Sequence, residues 1–118
     1  RREYKTQLTC CAINDEKGLA DLLADNPVIV QSTSLGLKPD DPSPMPVSLL
    51  RPNMRVCDMI YKKTRFLQAA EDIGACVSDG RGMLLHQGVK SLEIWLQRGA
   101  PVGVMRQALD EALAARGV

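Results

Sequence analysis

Three short stretches of this 118-residue chain combine hydroxyls, amides, acids and small residues as a polar, partly flat ligand would require. The first is Gln31-Ser32-Thr33-Ser34, with Gly36 close behind. The second is Asp58-Met59-Ile60-Tyr61. The third starts Ser78-Asp79-Gly80 and continues Arg81-Gly82-Met83-Leu84-Leu85-His86-Gln87-Gly88. Each follows an apolar run, so each reads as the carboxyl end of a β-strand, where open α/β sheets bind their ligands. Taken singly, hydroxyls and glycines at a strand end are ordinary turn chemistry. Three in succession with the same character point to a site. Gly80 lets a strand turn at once and lets backbone come close to a flat ligand, and Gly82 relieves the start of the apolar helix behind it. His86 has no partner in the sequence and reads as structural or exposed. Nothing has the spacing of a metal site: Cys10 and Cys11 are adjacent, while Cys57 and Cys76 stand alone. All four cysteines read as buried free thiols of a reducing cytosol rather than as disulfides.

The elements that must hold these stretches follow from the patterning. Residues 3–8 fit the tail of a helix or an entry loop, and "LTCCAI" at 8–13 is a short β-prone run. Asp15 is placed to cap a helix with Leu19, Leu22 and Leu23 on one face, stopped by Asn26-Pro27. "PVIVQSTS" is a continuous β-branched run, the mark of a strand buried on both faces of a parallel sheet. "LGLKPDDPSPMP" has four prolines in twelve residues and excludes regular structure. "MRVCDMIY" is a second strand, "TRFLQAAEDIG" a helix closed by Gly74, and "ACVSDG" a third strand. A long helix over 82–97 follows, then a last one opened by Pro101 and ended near Gly117, with Val104, Leu109, Ala112 and Leu113 among its apolar positions. This order predicts an α/β, Rossmann-like parallel sheet flanked by helices, with right-handed crossovers. A net charge of +1 with signs interspersed gives no field toward nucleic acid or membrane. No apolar run reaches the ~20 residues of a membrane span, and "RREYKTQ" is no secretory segment, so a cytoplasmic protein is expected.

In sequence, "VIVQSTSLGLKPDDPSPMP", "DMIYKKTRFLQAA" and "DGRGMLLHQGVKSLEIWLQRGAPVGVMRQAL" resemble the three successive C-terminal motifs of the shikimate dehydrogenases. Those motifs run roughly V-N-A-T-S-x-G-[LM], then D-[MLI]-x-Y-x-x-x-T-x-[LF]-L, then D-G-x-G-M-L-x-x-Q-x-x-x-x-F-x-[LI]-W. The resemblance covers residues 28–109 in the right order, and three linked motifs are far more specific than one. It implies an enzyme of aromatic amino-acid biosynthesis that reduces 3-dehydroshikimate to shikimate with NADPH, in a cleft between a substrate domain and a nucleotide domain. On the same ground, Thr33 and Ser34 match a pair beside the nicotinamide-side ribose. Met59 matches a residue packed on the nicotinamide, and Tyr61 one that edges the substrate. Gly80 matches the glycine whose carbonyl holds the carboxamide, Met83 the methionine beneath the ring, and Gln87 the amide that hydrogen-bonds a substrate hydroxyl. Helical side chains tilt toward the N-terminus, which would aim Gln87 back toward the cleft.

Some positions depart from the motifs. Gln31 and Ser32 replace the usual Asn and Ala, so the loop contact made by that Asn is in question. "YKKTRF" is shorter than the common Tyr-Asn-Pro loop, Arg81 replaces a leucine, and Leu92 takes an aromatic place. No G-x-G-x-x-G run occurs, so residues 1–118 read as the C-terminal half of a dinucleotide-binding domain, with the N-terminal substrate domain outside it. The family's lysine–aspartate acid–base pair would lie in that other domain, and no catalytic residue is assigned here. Arg1 and Lys5 fit loosely the cluster that grips the 2′-phosphate of NADP, or are solvated terminal charges. In the strand order 3-2-1-4-5-6, the strand over 27–32 is the fourth, and its outer edge would lack a partner. The expected partners are the small-molecule substrate and the remainder of the same enzyme, with a homo-oligomer left open. Two other readings stay open: a quinate/shikimate enzyme using NAD, and a non-catalytic module that pairs through the open sheet edge.

Overall fold

The computed structural model describes residues 7–117, and over them the chain forms three strands and four α-helices. Strands β1 (Val28–Gln31), β2 (Arg55–Asp58) and β3 (Cys76–Ser78) make one parallel sheet in that spatial order. Val28 stands opposite Arg55, and Val56 opposite Val77. This is the expected α/β, Rossmann-like arrangement. Among the described residues the outer edge of β1 has no strand partner, as the fourth strand of the six-strand order would require.

Helix starts follow local chemistry. Asp15 accepts the Gly18 N–H at 3.0 Å and caps α1 (Glu16–Asp25). Thr64, in extended backbone, accepts the Leu67 N–H at 3.1 Å and caps α2 (Arg65–Asp72), a contribution of about 1 kcal/mol. Gly74 follows α2 at φ +93°, a left-handed conformation that costs glycine nothing. Helices α3 (Arg81–Leu96) and α4 (Val102–Ala115) pack on each other, with Met105 beside Gly88. None of these helices is long and apolar enough to cross a membrane.

The core lies on one face of the sheet. Val56 on β2 meets Phe66, Leu67 and Ala70 of α2, all buried, together with Met54 and Leu50. Burying Phe66 and Leu67 stabilises the fold by about 2–3 kcal/mol each. No helix connects β1 to β2, because the prolines between Leu35 and Pro46 exclude one. Buried Met45 and Leu50, with a single 3₁₀ turn at Val47–Leu49, cover the core there instead.

Four expectations are corrected. Val28 and Val30 are 58% and 57% exposed, so β1 is not buried on both faces: Ile29 meets the core and its neighbours point to the uncovered side. The cysteines are free thiols but not buried ones. Cys10 and Cys76 are exposed and Cys11 and Cys57 half-buried, with the two strand cysteines, Cys57 and Cys76, on the uncovered face. Residues 8–13 form no strand; Leu8 and Ile13 stay exposed and no neighbouring strand pairs with them. Helix α3 begins one residue earlier than expected and is largely solvated, with only Leu85 and Val89 buried. The positions of Arg1 and Lys5 fall outside the described residues.

Candidate functional site

The three strand tips are tied to one another by hydrogen bonds. Asp58, the last residue of β2, is wholly buried, and its Oδ2 accepts the Thr64 hydroxyl at 2.6 Å. Its Oδ1 accepts the Ile60 N–H at 3.0 Å and lies 3.5 Å from Gln31 Nε2. Gln31 closes β1, is also buried, and donates from Nε2 to the Leu35 carbonyl at 2.9 Å while its Oε1 accepts the Thr33 N–H. The Ile60 carbonyl in turn accepts the Gly80 N–H at 2.9 Å. One connected path therefore runs from the turn after β1, through the tip of β2, to the start of α3. Every buried side-chain polar atom among the described residues has a partner.

Thr33, Ser34, Met59, Tyr61 and Gly80 sit on or beside this path, whereas Met83 and Gln87 lie farther along α3 and no hydrogen bond among the described residues ties them to it. Thr33 and Ser34 occupy the exposed turn after β1, where the Thr33 hydroxyl accepts the Leu35 N–H at 3.2 Å. That bond is turn chemistry, and it leaves the Thr33 hydroxyl hydrogen available to an acceptor. Met59 and Gly80 meet backbone to backbone: a Cβ on Gly80 would fall within 2.9 Å of the Ile60 carbonyl carbon and closer still to the Met59 carbonyl. Gly80 has φ −80°, which any residue adopts, so glycine is required there for close chain approach and not for a left-handed turn. Its carbonyl accepts the Leu84 N–H at 2.9 Å and retains a second lone pair. A Cβ on Gly82 would meet nothing within 4 Å. Next to it, Met83 is partly exposed on the first turn of α3, and both His86 and Gln87 are exposed farther along.

Tyr61 opens on a cavity of about 280 Å³ between the tips of β2 and β3, shared with Lys62, Ser78, Asp79 and Arg81. Of the seven expected ligand residues, Tyr61 alone lines it. Arg81 folds back on Asp79, with its N–H at 3.0 Å from Oδ1 and its Nε at 2.8 Å from Oδ2. Its guanidinium is thereby anchored at the start of α3. A larger cavity of about 610 Å³ lies between the proline-rich loop and the start of α2, and none of the seven residues lines it. In that loop the backbone N–H groups of Lys38 and Gly36 hold the Asp41 carboxyl below the usual carboxylate range. Asp58 and Thr64 have no individual role in the sequence reading, which puts the loop contact of Gln31 in question. In the structure Gln31 does hold that loop, through the Leu35 carbonyl and the Thr33 N–H. A signal for Thr64 was present, since a threonine before a helical apolar pattern is an N-cap. For Asp58 only the bond from Ile60 N–H, two residues on, is local; its other partners are 27 residues back and 6 residues on.

Residues 80–109 match the shikimate 5′-dehydrogenase C-terminal domain. A shikimate dehydrogenase (NADP(+)) of Natronomonas pharaonis is 41% identical over 97 residues, covering 80% of this chain and 36% of that protein. One from Haloarcula marismortui is 38% identical over 120 residues, covering 96% of this chain and 45% of the relative. Among solved structures, the Listeria monocytogenes shikimate 5-dehydrogenase in complex with shikimate and NAD superposes with a TM-score of 0.74. It is 35% identical, over 82% of this chain and 35% of that one. The chain thus spans between a third and a half of the length of these relatives.

Proposed function

We propose that the chain is part of the C-terminal nucleotide-binding portion of a shikimate dehydrogenase and supplies the nicotinamide end of an NADP-dependent enzyme. Its likeness to that family's C-terminal domain and to NADP(+) shikimate dehydrogenases supports this reading. The proposed reaction is the reversible reduction of 3-dehydroshikimate to shikimate, a step of aromatic amino-acid biosynthesis. The observation that carries this reading is the hydrogen-bonded union of the three strand tips at one end of a parallel sheet, each tip holding one of the family's motifs. The residues present suit a nicotinamide. Gly82 leaves open space at the first turn of α3, and Met83 beside it offers an exposed apolar surface.

In this reading NADPH supplies the hydride, and the chain's residues bind and orient. Thr33 and Ser34 face the nicotinamide-side ribose. Met59 and Met83 pack against the ring, and the spare lone pair of the Gly80 carbonyl takes a carboxamide N–H. Tyr61 and Gln87 hydrogen-bond the substrate. The acid–base pair and the rest of the substrate pocket belong to the remainder of the enzyme, in a domain N-terminal to these residues. Titration calorimetry of the intact protein with NADPH and with shikimate tests the proposal. Binding of both is expected, and heat from neither would reject it. Running NAD beside NADPH separates the NADP enzyme from the NAD-dependent quinate/shikimate variant.

A further inference from the structure

We propose that Asp58 is the positioning residue of this site: one buried carboxylate sets where the turn after β1, the Tyr61 segment and the start of α3 stand relative to one another. The inference rests on the nicotinamide-site reading above for its functional consequence and on geometry alone for the coupling. A carboxylate only accepts hydrogen bonds, and donors surround this one: the Thr64 hydroxyl, the Ile60 N–H and Gln31 Nε2. The 2.6 Å bond from Thr64 is charge-assisted and short, and Thr64 is at the same time the cap of α2.

The orientation of Gln31 follows from the same group. With Nε2 turned toward Asp58 and the Leu35 carbonyl, Oε1 is left facing the Thr33 N–H, and the turn that carries Thr33 and Ser34 is held from both sides. The longer amide, where the family has Asn, spans this gap. On the other flank, Ile60 is fixed at its N–H by Asp58 and at its carbonyl by Gly80, which sets the backbone between Met59 and Tyr61. An aspartate with a purely local role would anchor one segment. Asp58 reaches four: β1, the turn after β2, the cap of α2 and, through Ile60, the start of α3.

The experiment compares the intact protein with Asp58→Asn, Thr64→Val and Thr64→Ser. Asn keeps the size of Asp58 but removes the charge and one acceptor. With its N–H group turned toward Ile60 N–H that bond is lost; turned toward Thr64 it reverses the bond and leaves the Thr64 hydroxyl hydrogen without its acceptor. In the fully folded population, well below the melting temperature, Asp58→Asn is expected to lower kcat by roughly 10- to 100-fold. That is the scale of an ångström-level misplacement. KM should rise for both NADPH and 3-dehydroshikimate. Thr64→Val should follow in the same direction, and Thr64→Ser, which restores the hydroxyl, should recover most of the loss.

Backbone amide exchange gives a readout independent of activity. Protection at Thr33, Leu35, Ile60 and Gly80 should fall together in Asp58→Asn, while the β2–β3 ladder holds. Exchange that quickens only at Ile60 and Leu67 overturns the proposal. So does a kcat that falls merely with the folded fraction at unchanged KM. A parent protein that turns over no 3-dehydroshikimate refutes the proposed function, and the exchange measurement then decides the positioning role by itself. If Asp58→Asn does not fold, Thr64→Val and Gln31→Met are read by the same exchange criterion.

Discussion

Two glycines separated by one residue should respond to alanine in opposite directions. At Gly80 an added Cβ would lie 2.9 Å from the Ile60 carbonyl carbon and closer to the Met59 carbonyl, where ordinary contact begins at 3.4 Å. Both obstacles are backbone, so no rotamer change relieves them, and the chains must separate by about an ångström. Forcing atoms into such a contact costs about 1–3 kcal/mol. The displacement also stretches the 2.9 Å bond from Gly80 N–H to the Ile60 carbonyl, worth about 1 kcal/mol. Gly80→Ala should therefore destabilise the protein by about 3 kcal/mol, which at a urea dependence of roughly 1.5 kcal/mol/M moves the unfolding midpoint down by about 2 M. At Gly82 the Cβ enters open space within α3, and replacing glycine there should stabilise by about 0.5–1 kcal/mol. Urea unfolding of the two variants beside the parent is the assay. Equal midpoints for the two variants, or a Gly80→Ala shift under 0.5 kcal/mol, would refute the steric argument. The Gly82 variant also reads the ligand: a more stable protein that binds NADPH more weakly is expected if the ring approaches that opening.

Further outcomes follow from other residues. Gly36 has φ +107° and its Cβ would come within 2.8 Å of Thr64 Cγ2, so Gly36→Ala should lower stability by about 2–3 kcal/mol in the same assay. Asp41, its pKa lowered in the folded chain by the Lys38 and Gly36 N–H groups, adds stability above its unfolded value of about 3.9. The midpoint gap between parent and Asp41→Asn should be full at neutral pH and close as pH falls through the lowered value; a gap that widens in acid contradicts the assignment. Tyr61→Phe and Gln87→Ala each remove one proposed substrate hydrogen bond and should weaken shikimate by about 2- to 12-fold with NADPH affinity unchanged. Calorimetry checks this, and an equal loss for both ligands would place these side chains elsewhere.

Much of the fold was legible because its signals are local. Thr64 before Phe66-Leu67, Gly74 after Ile73, and Pro101 ahead of Val102 mark helix ends by chain chemistry alone, and the structure ends its helices there. The strand tips were legible for the same reason. What escaped reading depends on partners distant in sequence. Asp58 looks like any acid at a strand end until the fold brings Gln31 and Thr64 to it. The role of Gly80 was only half legible: glycine signals close approach, but which chain approaches, here Met59-Ile60, is a matter of tertiary placement.

The burial of β1 is the instructive miss. A run such as Val28-Ile29-Val30 signals a strand covered on both faces, yet over the described residues only the Ile29 side is covered. Val28 and Val30 on β1 share the bare face with Cys57 on β2 and Cys76 on β3, while α2 lies entirely on the other. The two cross-strand rows of that face, Val28-Arg55-Cys76 and Val30-Cys57-Ser78, are mixed, but their two valines and two cysteines are residue types that interior sheet faces favour. Nothing local distinguishes a strand that is covered from one that is suited to be covered, since the residue types are the same. Together with the edge of β1, which has no strand partner among the described residues, that face is the part of the sheet left without cover here. The motif-bearing tips do not depend on that cover, because the bonds that join them run through Gln31, Asp58 and Ile60 within the chain itself.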